Sequence, residues 1–376
     1  MKVLWIPHTP QHYLGWDGCR QFRIFEHLKN EADLHVVTWI QRKSLQGARR
    51  WGSVTVERDW YGTRYDVLLA PNFHRALLRN SYPPEPALWL NQRLFQAAVR
   101  RIRSMAQPDC TVVSITHQWT GYPPFDVLHP LVLDHVDRAV PSVEDRYVRE
   151  CDAIVAVSDA LLSRHRGKVV PAAVISNGVN LDAYRGTDRL HAKERLGLLG
   201  HTVVSLIGLT CSADLYFVDA VRHIQQAVPN LALLVVGGGA TLSAIQARAR
   251  KVGLRNLIAP GHVPSNEVAP YFAASDVGLY PGDNTPWFLD AAPLKIIEYS
   301  ACRVPVVSSP VRMFQSGWPN VLVVEPSAQG FAAGILQALS SPTHEPDLRE
   351  FDWQRISSRF HSFLVAVRSR HEQSRQ

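Results

Sequence analysis

DAAPLKIIEYSACRVPVVSS, residues 290–309, joins a short helical pattern to a β-branched run. Pro293 suits the first helical position, where its missing N–H would be unpaired in any case, and residues 304–307 read as a strand. At about 100° per residue, Leu294, Ile297 and Ala301 share one apolar face, with Glu298 at its edge and Lys295 just beyond. Lys295 therefore falls in the first turn, where the positive end of the helix disfavours a cation by about 0.3–1 kcal/mol. A bound phosphate would remove that conflict. The bland alternative is a Lys295–Glu298 surface ion pair at i, i+3, in which Lys before Glu is the poorer orientation.

Outward from this stretch the same alternation repeats. Residues 203–209, 231–236, 257–259, 277–280, 304–307 and 321–324 are strand-like, with helical patterns such as 217–228 and 242–252 between them. Six strands with intervening helices make a Rossmann-like half. In the first part of the chain, apolar runs at 3–6, 34–40, 54–56, 67–70, 111–115, 131–133 and 154–157 alternate with helical patterns at 88–105 and 143–149, which predicts a second parallel sheet. A chain of 376 residues suits two domains. Their expected bounds are residues 1–175 and 176–351, meeting in VISNGVN at 174–180, whose Asn-Gly is a strong turn signal. The glycines at 237–239 follow a strand, but position 242 is Leu, so G-x-G-x-x-G is incomplete and a nicotinamide dehydrogenase is disfavoured.

Asp290 and Glu298 enclose seven residues, and the segment resembles the E-x7-E region of GT-B glycosyltransferases of family 4, in the version written P-x-K-x-x-E-Y. Pro293, Lys295, Glu298 and Tyr299 match, while Asp290 replaces the first glutamate. The resemblance implies an α/β GT-B fold, two Rossmann-like domains facing across a cleft, with the donor nucleotide on the second and the acceptor entering from the first. It implies Asp290 for the donor sugar hydroxyls, Glu298 for the ribose, and Lys295 with the helix N-terminus for the diphosphate. Further donor contacts are implied at Leu294, at Gly208, and at His262 and Val263 in a G-x-V turn. The family's GR…KG is absent, replaced at 207–214 by IGLTCSAD, which leaves more of the charge to Lys295. Asp352 and Trp353, followed by Ile356, Phe360 and Val367, resemble a closing helix, residues 352–370, that packs back on the first domain.

Strand ends in the first domain supply the acceptor-side candidates, since ligands of open α/β sheets bind beyond the carboxyl ends of strands. The loop after the first strand offers His12, Trp16 and Gly18, and THQWTG after residue 115 offers His117. LVLDHVDRA, residues 131–139, carries Asp134, His135 and Asp137. Period-2 alternation sets Asp134 on one face and His135 with Asp137 on the other. In inverting relatives an aspartate of the corresponding segment is the general base, which the resemblance carries first to Asp137 and second to Asp134. Capping of the next helix, or pairing with Arg138, is the structural alternative.

Composition is that of an ordinary globular protein, 46% hydrophobic and 19% charged. No apolar run approaches the roughly 20 residues of a membrane span, and MKVLWIPHTP reads as a strand and loop rather than a signal peptide, so a cytoplasmic location is expected. A net charge of +7 is compatible with anionic ligands and with peripheral contact at an inner membrane face. No motif supports nucleic-acid binding. Five scattered cysteines form neither C-x-x-C pairs nor a disulfide framework. The expected function is a metal-independent transferase without cofactor. It moves a sugar from a nucleotide-sugar, with a UDP-sugar the first choice, to a hydroxyl of a glycan, lipid-linked saccharide or natural product. The rivals are a catalytically silent nucleotide-sugar-binding partner and a sugar-nucleotide epimerase of the same fold.

Overall fold

The apolar runs become strands of two sheets in the computed structural model, which describes residues 1–7, 19–41, 54–60, 63–70, 85–115, 122–208, 211–315 and 317–376. The chain divides into two units: Met1–Ser176 together with Trp353–Gln376, and Asn177–Asp352. Each is an α/β unit with its own sheet.

Unit 1 holds β1 (Lys2–Pro7), β2 (Asp33–Gln41), β3 (Val54–Trp60), β4 (Thr63–Ala70), β5 (Cys110–Ile115), β6 (Leu131–His135), β7 (Ala153–Ala156) and β8 (Ala172–Val174). Their order is β3-β4-β2-β1-β5-β6-β7-β8. All neighbours are parallel except β3 and β4, which pair antiparallel. Only residues 61–62 separate that pair. A parallel crossover needs a dozen or more residues, so the short link dictates the direction, and the wholly parallel sheet expected from alternation is corrected here.

The helix Trp353–Gln373 completes this unit. Ile356, Phe360, Leu364 and Val367 recur at helical spacing and are buried, each burial worth roughly 1.5–3 kcal/mol. Trp5 of β1 lies 4.9 Å from Phe360 and 5.0 Å from Phe25, the latter edge-on. Ser357 Oγ donates to the Ile24 carbonyl at 3.1 Å, tying the last helix to the Arg20–Leu28 helix.

Unit 2 holds β9 (Thr202–Ile207), β10 (Leu231–Val236), β11 (Leu257–Gly261), β12 (Val277–Tyr280), β13 (Val306–Ser308) and β14 (Val321–Val323), all parallel, in the order β11-β10-β9-β12-β13-β14. That order reverses direction beside β9, the switch point at which doubly wound sheets open a crevice. Alternate residues of one strand enter different cores: Val203 and Ile207 pack on one face, Val204 and Leu206 on the other. Both faces are covered by helices, which is why these strands read as continuous apolar runs. Among the described residues no helix is long and apolar enough to cross a membrane.

Candidate active site

The expected donor residues gather at the carboxyl end of the unit 2 sheet. The helix Leu294–Ala301 begins one residue later than expected, with Pro293 as an extended N-cap that offers no side-chain cap. Its first free N–H groups are thus left without a side-chain acceptor from the cap residue. Leu294 and Lys295 are half-buried in the first turn. The Lys295 ammonium donates to the Gly208 carbonyl at 2.7 Å and lies 5.7 Å from the Tyr280 ring centre. It therefore sits where β9 and β12 end, rather than on an outer surface of the helix. Burial pushes its pKa down to about 8.

Gly208 adopts φ +72°, and a Cβ there would meet Lys295 Nζ at 3.4 Å. The left-handed backbone is what favours glycine at this strand end. Glu298, one turn after Lys295 and half-buried, accepts a hydrogen bond from Tyr184 Oη at 2.7 Å. His262 is exposed beside the glycine turn after β10, its Cβ bordering Gly238, while Val263 packs partly against the core.

What holds this helix in place is the motif tyrosine. Tyr299 is wholly buried; its hydroxyl donates to the Ser205 carbonyl at 2.9 Å and its ring lies 4.7 Å from Phe272. A Cβ on Gly278 of β12 would lie 2.7 Å from three atoms of that ring. Gly278→Ala is expected to cost about 1–3 kcal/mol of unit 2 stability through overpacking, read as a lower urea midpoint. An unchanged midpoint would show that helix and strand do not meet this closely. A second support comes from Asn177, the first residue of unit 2, whose buried amide donates to the Ala292 carbonyl at 2.5 Å just ahead of the helix.

Asp290 departs from its expected role. It is 3% exposed, and its Oδ1 receives the Arg312 guanidinium, so the carboxylate faces inward instead of standing open to a sugar hydroxyl. Arg312 follows β13 on a short turn, and the spacing of 22 residues from Asp290 left it invisible to pattern reading.

On unit 1, Asp134 is corrected as a general-base candidate. It is fully buried in β6; Arg20 donates to its Oδ1 at 3.2 and 3.3 Å, and Ser114 Oγ donates to Oδ2 at 3.0 Å. Trp5 Nε1 donates in turn to Ser114 Oγ at 2.8 Å, and Arg20 reaches the Ser176 carbonyl at 2.6 Å. A carboxylate with both oxygens engaged and no exposure has no access to an acceptor. Asp137 differs: it is half-buried on the turn after β6. The helix Pro141–Glu150 is N-capped by Val140 with no side-chain bond, so Asp137 is not its cap.

That turn is clamped from below. Glu144 Oε1 accepts from Ala139 N at 2.8 Å, and Oε2 accepts from Arg164 at 2.6 and 3.1 Å. Burial would raise the Glu144 carboxyl, but the His135 ring 3.6 Å away and the hydrogen bonds from Arg164 and Ala139 N outweigh it and hold the pKa at about 2. His135 and His165 share a 2.8 Å hydrogen bond, and burial lowers His165 to about 4, so the His165 ring stays neutral near pH 7. His12, Trp16, Gly18 and His117 lie outside the described residues. Among the described residues no group of three or more His, Cys, Asp or Glu is placed to hold a metal ion.

Residues 209–341, most of unit 2, match the family model described as glycosyl transferases group 1. Over 173 residues the chain is 28% identical to a GDP-mannose-dependent alpha-(1-6)-phosphatidylinositol monomannoside mannosyltransferase of Mycolicibacterium smegmatis. That match spans 43% of this chain and 45% of the relative. Solved structures agree over nearly the whole length. An alpha,alpha-trehalose-phosphate synthase (UDP-forming) from Burkholderia vietnamiensis superposes with TM-score 0.68 at 15% identity, covering 98% of this chain and 99% of that one. Sucrose-phosphate synthase from Thermosynechococcus elongatus gives 0.66 at 15% over 99% and 98%. Anabaena HepE in complex with UDP gives 0.62 at 14% over 100% and 99%.

Proposed function

We propose that this chain, which has the GT-B fold of family 4-like glycosyltransferases, transfers a sugar from a nucleotide-sugar to an acceptor hydroxyl. The observation that carries the reading is the Lys295 ammonium held at the end of β9 by the Gly208 carbonyl, in the first turn of a helix whose N-terminus also attracts anions. In the reaction the anomeric carbon bonds to the acceptor oxygen as its bond to the diphosphate oxygen breaks, and the electron pair leaves with the nucleoside diphosphate. Lys295 and the helix N-terminus stabilise the charge that develops there. Asp137 takes the acceptor proton if the anomeric centre inverts; the departing phosphate takes it if configuration is retained. Glu298, supported by Tyr184, holds the ribose. No metal is assigned to this chemistry, and a domain arrangement of residues 1–175 with 352–370 for the acceptor and 176–351 for the donor goes with it.

Relatives differ in the nucleotide their names carry, GDP-mannose for the mycobacterial enzyme and UDP for the HepE complex. UDP is taken first. A thermal-shift panel of UDP-, GDP- and dTDP-sugars in the presence of a chelator tests the reading. Stabilisation by one class without metal, followed by release of its nucleoside diphosphate when an acceptor is supplied, is the expected result; stabilisation by none removes the function. Binding with no turnover on any glycan, lipid-linked or small-molecule acceptor would favour a silent binding partner instead.

A pH dependence follows from Lys295. Its pKa is lowered to about 8, and a bound diphosphate favours the protonated amine, so binding takes up a proton wherever the free amine is neutral. UDP affinity should therefore fall as pH rises through about 8, approaching a tenfold loss per unit well above it. Lys295→Gln should bind more weakly and lose that slope. Titration calorimetry across the range checks both, and an unchanged slope in the variant would refute the assignment.

A further inference from the structure

Arg312 is placed as a second cation of the donor site. Resting on the donor-site reading above, we propose that its guanidinium contacts the diphosphate of the nucleotide-sugar, and that Asp290 is its positioning residue rather than a sugar ligand.

The geometry comes from three facts. Asp290 is 3% exposed, and a carboxylate so desolvated has to be paired. Arg312 supplies that pair while its own side chain stays 51% exposed. Among the described residues Asp290 is the only hydrogen-bond partner of this guanidinium, so the rest of its donor fork faces solvent. An arginine held at one corner and open at the others is prepared for an oxyanion.

Its location matches Lys295. Arg312 sits four residues beyond the end of β13, between Val311 and Phe314, which are both buried and fix the turn. Ser309, in the same segment, donates from its backbone to the Tyr280 carbonyl at 3.0 Å and from Oγ to the Gly282 carbonyl at 2.9 Å. Lys295 approaches the same Tyr280 from the β9 side. The segment leading from β13 to Arg312 and the Lys295 side chain therefore both meet Tyr280 at the carboxyl end of β12, and Asp290, the partner of Arg312, lies three residues before the Pro293 N-cap of the Leu294–Ala301 helix. Residues 207–214, at the end of β9, contain neither arginine nor lysine. A diphosphate carries more charge than one ammonium neutralises, and Arg312 supplies the remainder.

The test is calorimetric titration with inorganic pyrophosphate, UDP and UDP-glucose on wild type, Lys295→Ala, Arg312→Ala, Asp290→Asn and the double variant Asp290→Asn/Arg312→Ala. The double variant leaves no buried charge unpaired, so it remains interpretable if Arg312→Ala folds poorly. Expected is a loss of about tenfold or more for pyrophosphate and for UDP in both Arg312→Ala and the double variant. Arg312→Lys should recover part of it. Asp290→Asn should weaken UDP and UDP-glucose alike by severalfold. If the Arg312 variants bind pyrophosphate and UDP as wild type does while Lys295→Ala does not, this inference falls and the donor site stands. If Asp290→Asn weakens only UDP-glucose, the carboxylate is a sugar ligand and the positioning role is overturned. If wild type binds none of the three, the donor-site reading falls as well.

Discussion

Lys295→Ala is expected to lower turnover of the nucleotide-sugar by about 10²–10³-fold, the loss typical of removing one preorganised donor to a developing oxyanion. The amine is well suited to that task. It is partly desolvated, fixed by a 2.7 Å bond to the Gly208 carbonyl, and carried on a helix locked to β12 through Tyr299 and Gly278. Because charge grows on the leaving group only as the glycosidic bond breaks, kcat should fall further than KM rises. Steady-state kinetics on purified variant and wild type read that split. An effect confined to KM would make Lys295 a ground-state binder, and no effect on either constant would leave the proposed catalysis without its main group.

Asp134→Ala should produce the largest loss of stability, about 3–5 kcal/mol, because it strands a buried arginine. Arg20 and Asp134 are 2% and 0% exposed, and the pair is continued by Ser114 and Trp5 across β5 and β1. Replacing both partners with apolar residues of similar volume, as in Arg20→Met/Asp134→Leu, should recover much of that loss. Urea unfolding followed by Trp fluorescence measures it, with attention to the unit 1 transition. A catalytic Asp134 would behave in the opposite way, losing turnover while keeping the wild-type midpoint.

The contrast between Asp134 and Asp137 shows where pattern reading stops. Two-residue alternation distinguishes a wet face from a dry one only when one face is wet. β6 lies inside a parallel sheet, so Asp134 and His135 point opposite ways and both are buried. Which of them is a structural partner depends on Arg20, more than a hundred residues earlier, and no local spacing reveals that. Arg312 was hidden for the same reason, while Tyr299 looked like part of a ligand motif and serves as an anchor. By contrast β10 and β12 coincide with their apolar runs to the residue, since a buried strand needs little beyond continuous apolar side chains. β8, with only Ala172–Val174 and partial exposure, has too weak a signal to be read. The start of the Leu294–Ala301 helix was legible because proline and a first-turn lysine both carry a local physical meaning.

The return of the last helix to unit 1 bears on how the protein can be made. Residues 177–352 are continuous and leave the ribosome as a block that can close its own core. Unit 1 has to wait: until Phe360 arrives, Trp5 lacks one of the two rings that pack on it. A nascent chain therefore carries a first sheet without its last covering helix through the whole synthesis of the second, with apolar surface exposed for that interval. A fragment ending at residue 176 should be sticky and poorly folded, whereas one that fuses 353–376 to it through a short linker should not.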